Sequence, residues 1–590
     1  MTVSHSPAPH DRRKRIARFA VFLLLVLLAC TLLLVVRRDD FQPLLANWTG
    51  EEDTGAQLKA LYYLAGSKLT PAPDTADFAP MRYTDLPPFG INTFFEQEVQ
   101  PDKIRESMQL IHDAGFHFIR QEFPWEAIEQ PAKGQYWDSK YNHSRWQQYD
   151  LIVSLAQEYG LEIVARLDAP PDWTRHDGAA RGHFAPPDNY NDYGDFVATV
   201  AARYKGQIKF YQLWNEPNTD AEWSAGSVNA ADYVRLLKVG YTRIKAVDPQ
   251  AVVISASLAP TKEETGHNLS DLIYLQQMYD AGVRGYFDIM AVQDYGLFWG
   301  PGNRLLMTDR PNFSRPILIR GIMVKNGDAD KPIWAMEMGW NTQPASWPTA
   351  PYGRVTDELQ ARYTVEAYQR AQQEWPWMGA MMFWFFKRAD THEQDQSFYY
   401  FRMFDPDFTA HPVYYALKSY IPNSRFIGLG FHQADDWALD YAGAWEHRTD
   451  GNVPAGSYMV GQPGDTATFS FSGTDLALAL LNPYGGIAAV SIDGGPAREA
   501  DLRATDPEAN GQVALVQGLM PGMHRAQITV KQGEVFLDGF IVRQTNDWLA
   551  SILVWPAGLL LVVLAFVVRA RLIARRQRIL RQELRARLRL

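Results

Sequence analysis

From residue 89 onward the chain alternates two kinds of apolar pattern. Short runs dense in β-branched and aromatic residues begin near Phe89 (FGINTFF), His117 (HFIRQEF), Glu162 (EIVARLD), Ile208 (IKFYQLW), Val252 (VVISASL), Phe287 (FDIMAVQ), Pro332 (PIWAMEM) and Gly379 (GAMMFWFF). Each is followed by a loop rich in Asn, Asp, Trp and Pro, and then by a stretch with helical period. In PDKIRESMQLIHDAG, Ile104, Met108 and Ile111 fall on one face and Gly115 ends the pattern. AADYVRLLKVGYTRIKAVDP repeats the design from Tyr233 to Val247 before Pro249. Eight strands alternating with helices predict an α/β fold, a (β/α)8 TIM barrel, over 89–421. A doubly wound open sheet would share the alternation, but no Gly-rich phosphate loop accompanies these strands.

The pattern changes after Ile421. Residues 423–545 lose the helical period and show short alternating runs split by Gly-rich turns: TATFSFSG, LALALLN, AAVSIDGG, HRAQITV, VFLDGFIV. This predicts an antiparallel β-sandwich domain. On the other side, residues 37–88 are polar and Pro-rich (PAPDTADFAPMRYTDLPP) and read as a linker or barrel-capping segment.

Two further runs are continuously apolar: 19–36 (FAVFLLLVLLACTLLLVV) and 549–568 (LASILVWPAGLLLVVLAFVV). Each is long enough to cross about 30 Å of hydrocarbon as a transmembrane helix. Segment 1–18 carries Arg12, Arg13, Lys14, Arg15 and Arg18, and the tail 569–590 is Arg-rich, so the positive-inside rule places both termini in the cytoplasm and the domains between outside it. A cleaved signal peptide fits less well, because the apolar run is long and Arg37-Arg38 follows it directly. The box ending at Cys30 resembles a lipoprotein signal, yet Thr31–Val36 continues the apolar run. Cys30 is the only cysteine, so the folded body has no disulfide and no thiol nucleophile. The helical tail RARLIARRQRILRQELRARLRL is expected to lie on the anionic inner leaflet.

Charge sharpens this picture. Of 57 Lys/Arg and 67 Asp/Glu, residues 1–38 and 569–590 hold 16 and 2, which leaves 41 against 65 and a net −24 for the body. Such a body repels phosphate backbones, which argues against nucleic acid as a partner. Aromatics at 13%, with 18 Trp, suit a protein that handles sugars, whose flat pyranose faces stack on indole rings. No metal-ligand spacing such as His-Glu-x-x-His occurs among the 13 His, so neither a metal nor another cofactor is implied.

Breaking a glycosidic bond takes a carboxylic acid to protonate the leaving oxygen and a carboxylate to attack the anomeric carbon. TIM-barrel enzymes draw such groups from the C-terminal ends of strands. Glu216 stands at the end of the fourth run (QLWNEPN) and Glu337 at the end of the seventh (IWAMEMGW). With these two in register, residues 88–421 resemble glycoside hydrolase clan A, most like its family 39 and family 5 members. The resemblance implies a retaining glycosidase with Glu216 as acid/base, Glu337 as nucleophile and Asn215 on the sugar 2-hydroxyl. It also implies Arg120 (HFIRQEFPW) and Tyr295 (VQDYG) as contacts of the nucleophile and Trp384 (MMFWFFK) as a platform beneath the cleaved sugar. Asn92, Trp173 and Trp340 are further candidates for substrate binding. Strand six departs from many relatives, with Gln293 where they have a His two residues before the Tyr.

The sandwich resembles galactose-binding-like modules. Its Trp437, Trp445 and Tyr484 are candidates for sugar stacking, and the alternative is a stalk that connects the barrel to the second span. The function expected is cleavage of extracytoplasmic oligo- or polysaccharide at the cell membrane. A transglycosidase using the same residues, and a non-catalytic sugar-binding protein, are the competing readings. Which sugar and linkage are cleaved, and the oligomeric state, are not written in the sequence.

Overall fold

A computed structural model describes residues 45–46, 49–67, 71–223, 228–264, 267–481, 486–503 and 511–545. The apolar runs 19–36 and 549–568, the basic ends, Cys30 and Tyr484 lie outside these residues. Among the described residues no helix is long and apolar enough to cross a membrane. The chain divides into two compact units, one running to Arg425 and including Pro454–Gly456, the other comprising Phe426–Val453 and the chain from Ser457.

The first unit contains eight parallel strands: β1 (Phe89–Thr93), β2 (Phe118–Glu122), β3 (Glu162–Leu167), β4 (Phe210–Leu213), β5 (Val252–Ile254), β6 (Met290–Tyr295), β7 (Ile333–Gly339) and β8 (Met378–Phe383). Their order is β5-β4-β3-β2-β1-β8-β7-β6. Parallel bridges from Ile254 to Ile289 and from Leu258 to Val292 join the chains of β5 and β6 at the seam, so the sheet closes into a TIM-like barrel. One helix follows each strand: α1 (Pro101–Asp113), α2 (Gln147–Glu158), α3 (Tyr190–Arg203), α4 (Ala230–Val247), α5 (Asp271–Asp280), α6 (Arg315–Lys325), α7 (Asp357–Glu374) and α8 (Pro412–Tyr420). The apolar face of α1 buries Ile104, Met108 and Ile111. The Asn229 side chain caps α4 by accepting the Asp232 N–H, as N-cap asparagines do.

Alternation along the strands fills the barrel in layers. Phe118, Phe210 and Trp334 meet inside it with ring centroids 4.9–5.7 Å apart. The Trp334 indole donates to the Tyr83 carbonyl at 3.0 Å, and Tyr83 and Leu86 pack against the same cluster. Residues near Tyr83 therefore cap the barrel and do not act as a loose linker. Two residues along β2 from Phe118, Arg120 points into the next layer, which is polar.

β7 carries one extra residue. Val292 of β6 pairs with Ala335, but the next residue, Gln293, pairs with Glu337; on the other side Met381 and Phe383 pair with Ala335 and Met338. Trp334 and Met336 both belong to the interior cluster, so strict alternation would turn Glu337 outward. The bulge at Met336 turns it inward.

The second unit is built from two antiparallel sheets of β9 (Gly430–Gln433), β10 (Asp440–Ala442), β11 (Glu446–Thr449), β12 (Ser457–Gly461), β13 (Thr466–Ser472), β14 (Asp475–Leu480), β15 (Ile487–Ile492), β16 (Arg498–Asp501), β17 (Gln512–Val516), β18 (Met523–Gln532) and β19 (Val535–Arg543). One has the order β11-β12-β19-β14-β17 with β9 also on β19; the other runs β10-β13-β18-β15-β16. Phe469 of one sheet meets Phe540 of the other at 4.5 Å within a shared apolar core. Trp437 and Trp445 both pack against that core, and the Trp445 indole donates to the Thr466 carbonyl at 3.1 Å.

Candidate active site

The polar layer is organised by Arg120. Its Nη1 donates to Glu337 Oε1 at 2.9 Å and Asn92 Oδ1 at 2.8 Å, its Nη2 to Asn215 Oδ1 at 2.9 Å, and its Nε to Gln212 Oε1 at 2.7 Å. Burial pulls the Arg120 pKa down, and the Glu337 carboxylate opposes that pull. A guanidinium holds its proton in such a place because it is always charged, and here its donors are matched by acceptors.

Glu337 is 4% exposed. Its second oxygen accepts a short hydrogen bond from the Tyr295 hydroxyl. Burial first, and then the Glu337 charge, push the Tyr295 pKa well up, so this hydroxyl keeps its proton and remains a donor. Each Glu337 oxygen thus has a hydrogen-bond donor.

Glu216 lies in a different setting, just past β4. Trp214 and Glu216 have φ of +78° and +34°, rare for side-chain-bearing residues, and so Asn215 and Glu216 both reach the site although they are consecutive. The turn is pinned by Trp214 N–H on the Leu167 carbonyl at 3.1 Å and Glu216 N–H on the Ser257 carbonyl at 2.9 Å. Gln293 Nε2 donates to Glu216 Oε1 at 3.1 Å. Burial, and after it the charges of Glu337 and Glu222, raise the Glu216 pKa to about 8. The pair thus splits into an acid that keeps its proton near neutrality and a carboxylate held between two donors, the division that acid and nucleophile roles require.

The structure gathers Asn92, Arg120, Asn215, Glu216, Tyr295 and Glu337 into this one layer. Asn92 does not face substrate: its Nδ2 is spent on the carbonyls of Met336 at 2.9 Å and Phe383 at 3.2 Å, and its Oδ1 on Arg120. It is a positioning residue. Trp384 is partly exposed beyond β8, with its ring edge-on to Phe94 at 5.5 Å, and its peptide bond to Phe385 is cis. Trp340 is a correction to the sequence reading. It is fully buried, its indole donates to the Trp299 carbonyl at 2.8 Å, and its ring packs on Phe313 and Tyr363, so no face is left for a sugar. Trp173 packs edge-on against buried Trp125 and donates to the Glu129 carbonyl, contacts of a wall residue.

Several members of the site carry no signal in the sequence. Gln212 donates to Ser257 Oγ at 3.1 Å, and Ser257 in turn donates to Asn215 Oδ1 at 2.8 Å. With Arg120 and Gln293 also on that oxygen, the Asn215 amide has a single orientation. Beyond it, Glu222 pairs with Arg166 at 3.5 Å, and burial raises its pKa to about 7. Among the described residues no group of three His, Cys, Asp or Glu side chains could hold a metal ion.

Residues 81–271 match the family Cellulase (glycosyl hydrolase family 5). Similar solved structures include a family 39 glycoside hydrolase from Bacteroides cellulosilyticus WH2 (19% identity, 78% of this chain and 83% of that one, TM-score 0.43). A monomeric β-xylosidase from Caulobacter crescentus CB15 (13% identity, 78% and 98%, TM-score 0.41) and xylanase 10B from Thermotoga maritima (18%, 59% and 96%, TM-score 0.39) are also similar. No curated protein sequence matches the chain. The family match and the paired glutamates together define the class: the protein is a glycosidase.

Proposed function

We propose that the protein is a retaining glycosidase acting on oligo- or polysaccharide by double displacement. The observation that carries this reading is the unequal pair: Glu337 bound by Arg120 and Tyr295, and Glu216 with its pKa near 8. In the first step Glu337 attacks the anomeric carbon while Glu216 gives its proton to the departing oxygen. The carbon–oxygen bond breaks and a glycosyl ester forms on Glu337. In the second step Glu216, now a carboxylate, takes a proton from water, and the water oxygen displaces Glu337 from the same face the leaving group vacated. Asn215, fixed through its oxygen, offers its amide nitrogen to the sugar 2-hydroxyl, and Trp384 supports the ring. Following the anomeric proton by NMR from the start of the reaction tests this, since a product formed first with inverted configuration would exclude the covalent route. Transfer of the glycosyl group to a second sugar would use the same residues, and product analysis separates it from hydrolysis.

We also propose that both domains stand outside the cytoplasm, held by the spans 19–36 and 549–568. The support is the basic flank on each run. In a Cys30→Ser background, His5→Cys and Arg585→Cys should resist an impermeant thiol reagent in intact cells, while Asp450→Cys should react. Labelling at either end without lysis would overturn the two-span arrangement.

A further inference from the structure

Residues 49–52 touch the barrel near the ends of β6 and β7, and nothing so far accounts for them. The Thr49 hydroxyl donates to the Leu45 carbonyl at 2.6 Å and the Gly50 N–H to the Ala46 carbonyl at 2.7 Å. The Gly50 carbonyl then accepts the Gly300 N–H at 2.8 Å, in the loop between β6 and α6. Gly50 has a φ of +65°, and a Cβ on it would stand 2.6 Å from both the Gly300 carbonyl oxygen and the Asn303 nitrogen. Only glycine lets the two backbones approach so closely. Two residues on, the Glu52 carboxylate accepts the Tyr363 hydroxyl at 2.8 Å and pairs with Arg362, both in the second turn of α7. α7 follows β7, so its first turns stand at the end of the barrel where Glu337 and Tyr295 lie.

From these contacts a chain of others leads inward. The Tyr363 ring lies against Gly300, where a Cβ would stand 2.9 Å from it, and edge-on to Trp340 at 5.5 Å. The Trp340 indole donates to the Trp299 carbonyl at 2.8 Å, and a Cβ on Gly296 would fall 2.1 Å from the Trp340 ring. Gly296 is the residue after Tyr295, whose hydroxyl holds Glu337. The loop after β6 is therefore clamped between the N-terminal segment and Trp340, directly behind the Tyr295–Glu337 pair. Close packing passes a displacement at one end of such a chain to the other.

We infer that residues 49–52 are a positioning element of the active site. Gly50 and Glu52 fix the loop after β6 and, through Trp340 and Gly296, keep the Tyr295 hydroxyl on Glu337. Neither touches the reacting atoms, so neither is a catalytic residue. The stretch before β1 is then a working part of the catalytic unit as well as its cap. This inference rests on the double-displacement reading above, which makes Glu337 the nucleophile.

The test reads the nucleophilic step alone. In the full chain, the parent, Gly50→Ala, Glu52→Ala and Glu52→Gln are incubated with the 2-deoxy-2-fluoro-β-glycosyl fluorides of glucose, xylose, mannose and galactose. Glu337 displaces fluoride from the anomeric carbon and forms the glycosyl ester. The electron-withdrawing fluorine at C2 slows hydrolysis of that ester, so label accumulates. The mass of the intact protein counts labelled sites, and the time course gives the limiting rate and the half-saturating concentration.

With the sugar that labels the parent, Gly50→Ala should reach the same final labelling at a limiting rate lower by about tenfold to a hundredfold, its half-saturating concentration within about twofold. Glu52→Ala should be slower by about threefold to tenfold, and Glu52→Gln within about twofold of the parent, because the amide oxygen still accepts the Tyr363 hydroxyl. Parent-like rates in Gly50→Ala and Glu52→Ala would overturn the inference. So would fewer labelled sites at an unchanged rate, the sign of a merely structural role. If Gly50→Ala does not fold, Glu52→Ala alone decides. A parent that none of the four sugars labels would remove the double-displacement reading as well.

Discussion

Replacing Glu337 by Ala is expected to lower turnover by roughly four orders of magnitude or more, because no other group stands between Arg120 and Tyr295 to attack the anomeric carbon. Azide should restore part of the cleavage of an activated glycoside, and the glycosyl azide should have inverted configuration, since the anion enters the vacated space opposite the leaving group. The variant should also be less stable than the parent by about 1–3 kcal/mol, because a buried guanidinium loses its hydrogen-bonded carboxylate yet keeps Asn92, Gln212 and Asn215. Glu337→Gln, which retains a hydrogen-bonding side chain of the same size, separates the two effects: it should be equally inactive but melt closer to the parent. Parent-like turnover in either variant would mean that the nucleophile lies elsewhere.

The second large effect belongs to Glu216. Its job is to protonate a leaving oxygen, so Glu216→Ala should lose far more rate on glycans than on aryl glycosides of acidic phenols, which depart unaided. On the latter the glycosyl ester at Glu337 should accumulate, since no base activates water. The pH profile supplies an independent sign. With its pKa raised to about 8, Glu216 is protonated and competent below that pH, and activity on glycans should decline as pH rises through it. The variant should lack that alkaline decline. Equal losses on both substrate classes, with the decline intact, would exclude Glu216 as the acid/base.

Much of this site can be read from the chain because barrel enzymes place their chemistry at strand ends and both glutamates follow buried apolar runs. All eight of those runs carry a strand. What the sequence hides is partnership. Asn92 looks like a sugar ligand until its amide is found bound to two carbonyls of neighbouring strands. Trp340, three residues past Glu337, looks like a platform, but Phe313 and Tyr363 enclose it. Gln212 and Ser257 are uncharged residues with no motif, legible only once Arg120 and Asn215 are seen to need them. Gln293 departs from the histidine of many relatives, yet it still donates to Glu216 and does so without a titrating group of its own. The stretch before β1 holds a helix, Thr54–Ser67, that no helical period marks, and nearer β1 it is held by contacts such as the Tyr83 carbonyl on Trp334.

The extra residue in β7 makes activity depend on pairing register as well as on chemistry. A β7 that kept Met336 but paired without the bulge could fold as a barrel and still carry a glutamate in the seventh strand, now turned away from the interior. The neighbouring strand shows what awaits a carboxyl group there. Asp294, which follows inward-facing Gln293, is buried with neither oxygen hydrogen-bonded, and burial drives its pKa well up. A nucleophile moved to such surroundings would be an uncharged acid with nothing to attack. The bulge ahead of Glu337, and not the glutamate alone, therefore makes β7 a catalytic strand; deletion of Met336 would leave Glu337 next to Ala335, opposite Gln293 as now and still facing the interior.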